Sequence, residues 1–482
     1  MLYNFYNTPL IRDSHAKARK RRKKIHISIV KRKRPDGSRY VQEVRSIYDP
    51  KTKNSKVISS TIKGILPPGE TDLSKLIPSD GKRGPKKKAA LAREIPVSTD
   101  SRQGSLVQYP LDIILLVIVL AGLGGFLSCR QIAEYSKLHR PVFKAWFADF
   151  PDQDISHDTV RNVIRILGKG DVNKLIEQYT IPLPAKYQTR IVALDGQAVC
   201  AASSLEHKAH SRYELNLFDT DNEMCLQQVL IEEKENEITQ AVNIVTSMDL
   251  SGAIFTCDAM NTQKKLAEFL LYEKHCDYCF AVKGNHKELH SQVCGWFKTK
   301  QGRSAAKEFA RIELGHGRTE TREISVLPAS LMKEFAQDVL DKWTGLEDGC
   351  IVMARTKREF ADAPEKNSDE VRYFITSLHF DKLYIAATLA RVIRRHWMIE
   401  NGLHWVLDVT FNQDRTQCRN ADFLAGVTGI RKIIFNLISK AQSVQEAETG
   451  RQAAHKPSWK VRLSTPASAM ELFAKLYPHV KR

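Results

Sequence analysis

Between Arg394 and Asp408, the residues Trp397, Glu400, His404 and Leu407 recur at i, i+3, i+7 and i+10, so one helical face carries two bulky apolar groups, a carboxylate and an imidazole. An ordinary amphipathic helix with Glu400 in solvent also fits that pattern. Two more carboxylates stand upstream, each at the end of a β-rich run: Arg190 to Gly196 delivers Asp195, and Gly252 to Asp258 delivers Asp258. Attack of water or a sugar hydroxyl on a phosphodiester develops charge on the entering and leaving oxygens, and two divalent ions ~3.5–4 Å apart stabilise both. Such ions need hard oxygen ligands on rigid elements, and Mg²⁺ keeps several waters and takes only a few carboxylates. Taken singly, each strand-end aspartate is an ordinary turn or cap residue; together with a helical Glu400 they meet that demand. Asp408 and Asp414 follow in the same stretch, but at 1.5 Å rise per residue Asp408 sits ~12 Å beyond Glu400, so one ion pair cannot readily use both.

The elements that must carry these groups are legible around them. After Arg190 to Gly196, Tyr213 to Asp219 and Cys225 to Glu232 read as strands, and Asn236 caps a helix from Glu237 to Met248. Gly252 to Asp258 is a buried-type strand, Thr262 to Lys274 a helix, and Tyr278 to Val282 a strand closing on Lys283-Gly284-Asn285. Three strands, helix, strand, helix, strand is the order of a ribonuclease-H-like sheet. Past Trp296, the pieces Phe309 to Leu314, Thr319 to Leu327, Cys350 to Phe360 and Val371 to Leu378 predict a β-rich insertion before the helix around Glu400.

From Pro110 to Tyr179 the period is helical, with Ser128 and Ser156 as caps; a helix-turn-helix reader and a plain supporting bundle both fit. The apolar run Ile113 to Leu127 is broken by Gly122, Gly124 and Gly125 and is shorter than the ~20 residues a membrane span needs, which predicts a buried helix and no membrane partner. The domains expected are a basic region with a β-hairpin and linker over 1–104, a helical domain over 105–185, a catalytic domain over 186–440 with its insertion at about 297–378, and a tail over 441–482.

Net charge is +19, and residues 1–90 hold 24 Lys/Arg against 7 Asp/Glu, leaving only +2 for the rest. Like charge this dense, at Arg21, Arg22, Lys23 and Lys24, at Lys31, Arg32, Lys33 and Arg34, and at Lys86, Lys87 and Lys88, self-repels unless nucleic-acid phosphates neutralise it. Nine cysteines with no secretory signal over Met1 to Leu10 fit reduced thiols in the cytoplasm. The lone Cys276-Asp277-Tyr278-Cys279 lacks the second pair that a zinc site wants.

The chain also resembles the ISAs-type, or H-repeat-associated, DDE transposases of bacterial insertion sequences. The matching stretches run in order over roughly 105–440: Tyr109-Pro110-Leu111, Ser156 to Thr159, Ala193-Leu194-Asp195-Gly196, Glu233 to Ile238, Asp258 to Lys264, Lys283-Gly284-Asn285, His316 to Arg322, His396 to Asn401, Leu403 to Val409 and Arg419-Asn420-Ala421. The resemblance implies that Asp195, Asp258 and Glu400 form a triad holding two Mg²⁺ or Mn²⁺ ions, with Asp195 shared, and that Lys283, His396 and His404 lie along the DNA path. It implies double-stranded DNA as partner, both the inverted ends of the element and the target, at least a dimer when two ends are brought together, and residence in the bacterial cytoplasm on the nucleoid. Where the family usually carries Lys and Arg after the first Asp-Gly, this chain has Gln197 and Cys200. A DNA-binding regulator or decayed product without catalysis, and a nuclease that cuts without joining, are the competing readings; nothing in these residues separates cutting from joining.

Neutralising Z phosphates gives a log–log salt slope of roughly −0.9Z. Deleting residues 1–90, which carry the excess charge, is expected to flatten that slope markedly on any duplex. A truncated protein with an unchanged slope places nonspecific affinity elsewhere.

Overall fold

The computed structural model describes residues 25–33, 39–49, 54–66, 77–78 and, except for 108, 147–149, 171, 180–188, 200–211, 232–236, 316, 417 and 419, residues 107–449. The chain divides into two compact units, Met1–Lys87 and Lys88–Arg482. In the first, β1 (Ile25–Lys33), β2 (Arg39–Asp49), β3 (Asn54–Leu66) and β4 (Ile77–Pro78) form an antiparallel sheet in that order. The hairpin read from the sequence, with Ile25 opposite Ile47, is thus one edge of a larger sheet.

In the second unit a helical segment comes first: α1 (Leu111–Leu123), α2 (Cys129–Leu138), α3 (Arg140–Trp146), α4 (His157–Gly168) and α5 (Val172–Tyr179). Every residue of α1 from Ile113 on is buried, which is why its sequence is apolar all round and shows no amphipathic stripe. Among the described residues no helix is long and apolar enough to cross a membrane. Ser128 and Ser156 cap α2 and α4, each side chain accepting a backbone N–H three residues on.

The remaining chain supplies β5 (Ile191–Ala198), β6 (Tyr213–Asp219), β7 (Met224–Ile231), α6 (Glu237–Thr246), β8 (Ile254–Cys257), α7 (Lys264–Tyr272), β9 (Asp277–Val282), α8 (Lys287–Lys298) and α9 (Lys300–Ala305). Then come β10 (Lys307–Gly315), β11 (Arg318–Pro328), α10 (Lys333–Lys342), β12 (Cys350–Phe360), β13 (Ser368–Thr376), α11 (Ile385–His396), α12 (Trp405–Val409) and α13 (Ala421–Thr449). All nine strands join one mixed sheet in the order β10-β11-β12-β13-β9-β8-β5-β6-β7. Its β5–β9 portion is the ribonuclease-H-like arrangement implied by the sequence order. The four strands of the β-rich insertion continue the same sheet, because β13 pairs antiparallel with β9.

Helices cover both faces. α6, α7, α8 and α10 pack on the side that buries Val192 and Leu194. α11 and the helices around α13 pack on the side that buries Ile191 and Ala193. α13 touches α4 and α5 on one side and β7 on the other, so it ties the helical segment to the sheet. The crossing is backbone to backbone: a Cβ on Gly168 would collide with the carbonyl oxygen of Asp422, and one on Gly426 with that of Ile164. Gly426→Ala is therefore expected to cost about 1–3 kcal/mol of stability, the usual range for overpacking, read as a lower urea midpoint. An unchanged midpoint would show that the two helices can separate freely.

Candidate active site

Strand register builds the centre of the site. β5 and β8 run parallel, and their last paired residues are Leu194 and Cys257. Asp195 and Asp258 come next in each chain, so they sit side by side about one strand spacing, ~4.8 Å, apart. Leu194 and Cys257 face the α6–α8 side. Alternation then turns the aspartates to the opposite side, the one occupied by the chain after α11. Asp258 is fixed by a turn: its Oδ1 accepts the Asn261 backbone N–H at 3.0 Å and Asn261 Nδ2 at 3.1 Å. Both bonds fall on one oxygen.

Glu400 enters from the facing wall. The helix expected from Arg394 to Asp408 is not continuous; Ile399–His404 forms a π-helical turn between α11 and α12, with the Trp405 N–H donating to the Glu400 carbonyl five residues back. The wider turn buries Ile399, Leu403 and His404 and leaves Glu400 on the cleft. Asp195, Asp258, Glu400, Lys283 and His396 all line this cleft of about 280 Å³. Asp408 and Asp414 do not; Asp408 lies beside Asp414 and Arg431, and burial raises its carboxyl.

Burial also raises the Glu400 carboxyl, with Arg372 and Lys283 drawing it back and the charge of Asp258 pushing it up. His396 stands over Asp258 with Nδ1 3.4 Å from Thr256 Oγ1, and burial lowers its pKa to about 4. His404 is only 8% exposed and lies behind the cleft wall, not on it. Its Nε2 is 3.2 Å from Asn216 Nδ2, the residue paired with Asp195 across β5 and β6, and its Nδ1 is 3.7 Å from Asp195 Oδ2. An amide donor at Nε2 leaves the proton on Nδ1, facing the carboxylate. Burial, with Lys432 and His396 adding, lowers the His404 pKa to about 3, so the ring is neutral near pH 7. A neutral, enclosed ring supports Asp195 and offers a phosphate no charge.

The polar layer continues beneath. Glu214 pairs with Gln197 across the same strands and meets Lys432 Nζ at 2.6 Å, both side chains fully buried. Gln197 is itself buried. Sequence reading missed Asn216, Glu214 and Lys432, as well as His290, Glu370 and Arg372 on the cleft wall. A signal existed in β13, where Glu370 and Arg372 alternate with Val371 and Tyr373 on what otherwise reads as a buried strand. Arg21, Arg22, Lys23, Lys24, Arg34, Lys86, Lys87 and Lys88 lie outside the described residues, as does Cys200; Lys31, Arg32 and Lys33 belong to β1.

The donor set fits a divalent cation. Carboxylate oxygens are hard ligands, two of them stand on adjacent strand ends, and the like charge that pushes Glu400 up is what a cation would relieve. Among the described residues, however, no group of three or more His, Cys, Asp or Glu side chains is already closed around one point.

Comparison with known proteins identifies the family. The protein family described as "Transposase DDE domain" matches residues 186–437, just over half of the chain. The Escherichia coli protein YncI, named as a transposase, is 29% identical over 73% of this chain and 87% of its own length. YhhI of the same species, named as an H repeat-associated transposase, is 28% identical over 72% of this chain and 90% of its own. A piggyBac transposase synaptic complex with hairpin DNA aligns with 78% of this chain and 74% of that one, at 13% identity and a TM-score of 0.37. From the family match and the order of strands that carries its acidic residues, the chain belongs to the DDE transposases.

Proposed function

We propose that this chain is a catalytically competent transposase that binds the ends of its element, cuts the DNA strands there and joins the freed ends to target DNA. The observation that carries the proposal is the convergence of Asp195, Asp258 and Glu400 on one cleft with Lys283 beside them. Asp195, Asp258 and Glu400 would hold the metal, Mg²⁺ or Mn²⁺ and two ions in this reading; such ions stabilise the charge that develops on the entering and leaving oxygens.

The protein's own groups have definable tasks. Asn261 fixes the Asp258 carboxylate, and His404 with Asn216 orients that of Asp195. Lys283 supplies a positive charge at the cleft mouth where a phosphate would sit. His396, neutral near pH 7, can accept or donate a hydrogen bond there without adding charge.

The test is nicking of a duplex carrying the element ends. Asp195→Asn and Asp258→Asn are each expected to lower cleavage by about a thousandfold or more, the scale of several kcal/mol of charge stabilisation, while leaving DNA affinity nearly unchanged. Cleavage at near-normal rates in either variant moves the active site elsewhere; no cleavage by the unsubstituted protein under any divalent ion favours the regulator reading.

Metal binding has its own thermal signature. A carboxyl raised above its ordinary 4.5, as Glu400 is, adds stability below that value and loses it as pH rises through the raised one, so the metal-free fold is weakened at neutral pH by this group. A bound cation reverses the sign. At an ion concentration tenfold above Kd the folded state gains about 1.4 kcal/mol, so Mn²⁺ is expected to raise Tm in the unsubstituted chain and not in Asp258→Asn. Equal shifts in both would show that the ion binds elsewhere.

A further inference from the structure

Beside the carboxylate cleft runs a second, larger trough of about 550 Å³, walled by β10–β13 and one side of α11. It shares Glu370, Arg372, Ile393 and Trp397 with the cleft, so the two open into each other. At its far end a hollow of about 400 Å³ continues it, sharing Arg318, Arg322 and Arg394. The trough wall carries nine arginines and three glutamates. Asp221, Glu323 and Asp369 pair with some of these arginines from outside the wall, and cations still outnumber acids by three.

Arg311 stands directly opposite Arg322, and Glu313 opposite Glu320, across β10 and β11. Like charges at that spacing destabilise a sheet unless something neutralises them. These two pairs offset each other, Arg311 meeting Glu313 at 3.1 Å and Arg322 meeting both glutamates; the arginines beyond them share too few acids. Glu320, whose side chain is 10% exposed, serves Arg318 at 3.3 Å, Arg322 at 2.9 Å and Arg358 at 3.5 Å, one carboxylate for three guanidinium groups. Arg322 also reaches Glu313. Arg394 of α11 leans over the same group and, among the described residues, forms no salt bridge; burial and the neighbouring Arg322 and Arg318 lower its pKa, and the charges of Glu313 and Glu320 partly offset them. Arg372, paired with Glu370 at 2.7 Å, lies 4.6 Å from the ring centroid of Trp397 at the junction with the cleft.

Guanidinium forks held in place by a shared buried acid, with positive charge left over, match phosphate oxygens in geometry and sign. We propose that this arginine trough binds the sugar–phosphate backbone of the DNA strand that enters the cleft, guiding it from the hollow beside Arg394 past Arg372 and Trp397 to the carboxylates. The proposal rests on the cleft being a site of DNA chemistry.

The test uses the full chain and a fluorescein-labelled DNA duplex with a single-stranded overhang, titrated over a range of salt by fluorescence anisotropy. Arg318→Ala with Arg394→Ala is expected to make the log–log salt slope shallower by about 1.4–1.8, since each lost phosphate contact removes about 0.7–0.9, and to weaken binding about tenfold or more at fixed salt. Arg318→Glu with Arg394→Glu should do more; if that pair lowers the melting temperature, the alanine pair decides. An alanine pair with unchanged slope and affinity overturns the proposal. The failures separate cleanly. If the unsubstituted protein cuts no DNA with Mg²⁺ or Mn²⁺ yet the slope falls, the cleavage reading fails and the trough stands; if it cuts and the slope is unchanged, the trough alone falls.

Discussion

Parallel pairing of β5 with β8 is the constraint on which the proposed site depends. Because Leu194 and Cys257 close that ladder, Asp195 and Asp258 are forced into neighbouring positions on a half-buried wall. Two carboxylates so close repel each other, and burial enlarges the effect. A fold that tolerates this geometry must hold each group by other means. Asn261 does so for Asp258, and the His404–Asn216 pair does so for Asp195.

The rest of the second unit serves that arrangement. The π-helical turn from Ile399 to His404 departs from ideal helix geometry, and it allows one short segment to bury three side chains against the sheet while leaving Glu400 on the cleft. Below it, Lys432 of α13 neutralises Glu214 in the interior and also donates to Gln228 Oε1 at 2.8 Å. Removing one partner of such a buried pair leaves an uncompensated charge, typically a loss of about 3–5 kcal/mol. That linkage makes α13, and the glycine-mediated contact that seats it on α4, part of the support of the cleft. Lys432 also helps to keep His404 neutral, so the same cation that secures the sheet sets the electrostatics behind Asp195.

Much of the core was legible because its signals are local. β5, β8 and β9 are short apolar runs bounded by polar residues, and the carboxylates stand where those runs stop, so strand order and strand-end aspartates could both be read from the chain. Glu400 was legible from helical spacing, but the π turn was not, since no residue pattern marks the insertion of one extra residue per turn. His404 illustrates the consequence: spacing sets it on the Glu400 face, whereas the altered turn and the amide of Asn216 draw it into the interior. The union of the insertion strands with the core sheet was hidden for another reason. It depends on pairing β13 with β9, about ninety residues apart in the chain, and nothing in either strand alone specifies its partner. The arginine trough was missed likewise, because its cations come from five separate elements and each looks like an ordinary exposed face until the sheet assembles.

The central claim is that Asp195, Asp258 and Glu400 act together as ligands. Anomalous diffraction at the manganese edge from crystals of the full chain soaked in Mn²⁺ tests it most directly. The account predicts anomalous density within coordination distance of Asp195 and Asp258, with Glu400 drawn toward it. Density at Asp408 or Asp414 instead, or none at the cleft in a soak that labels other carboxylates, would contradict it.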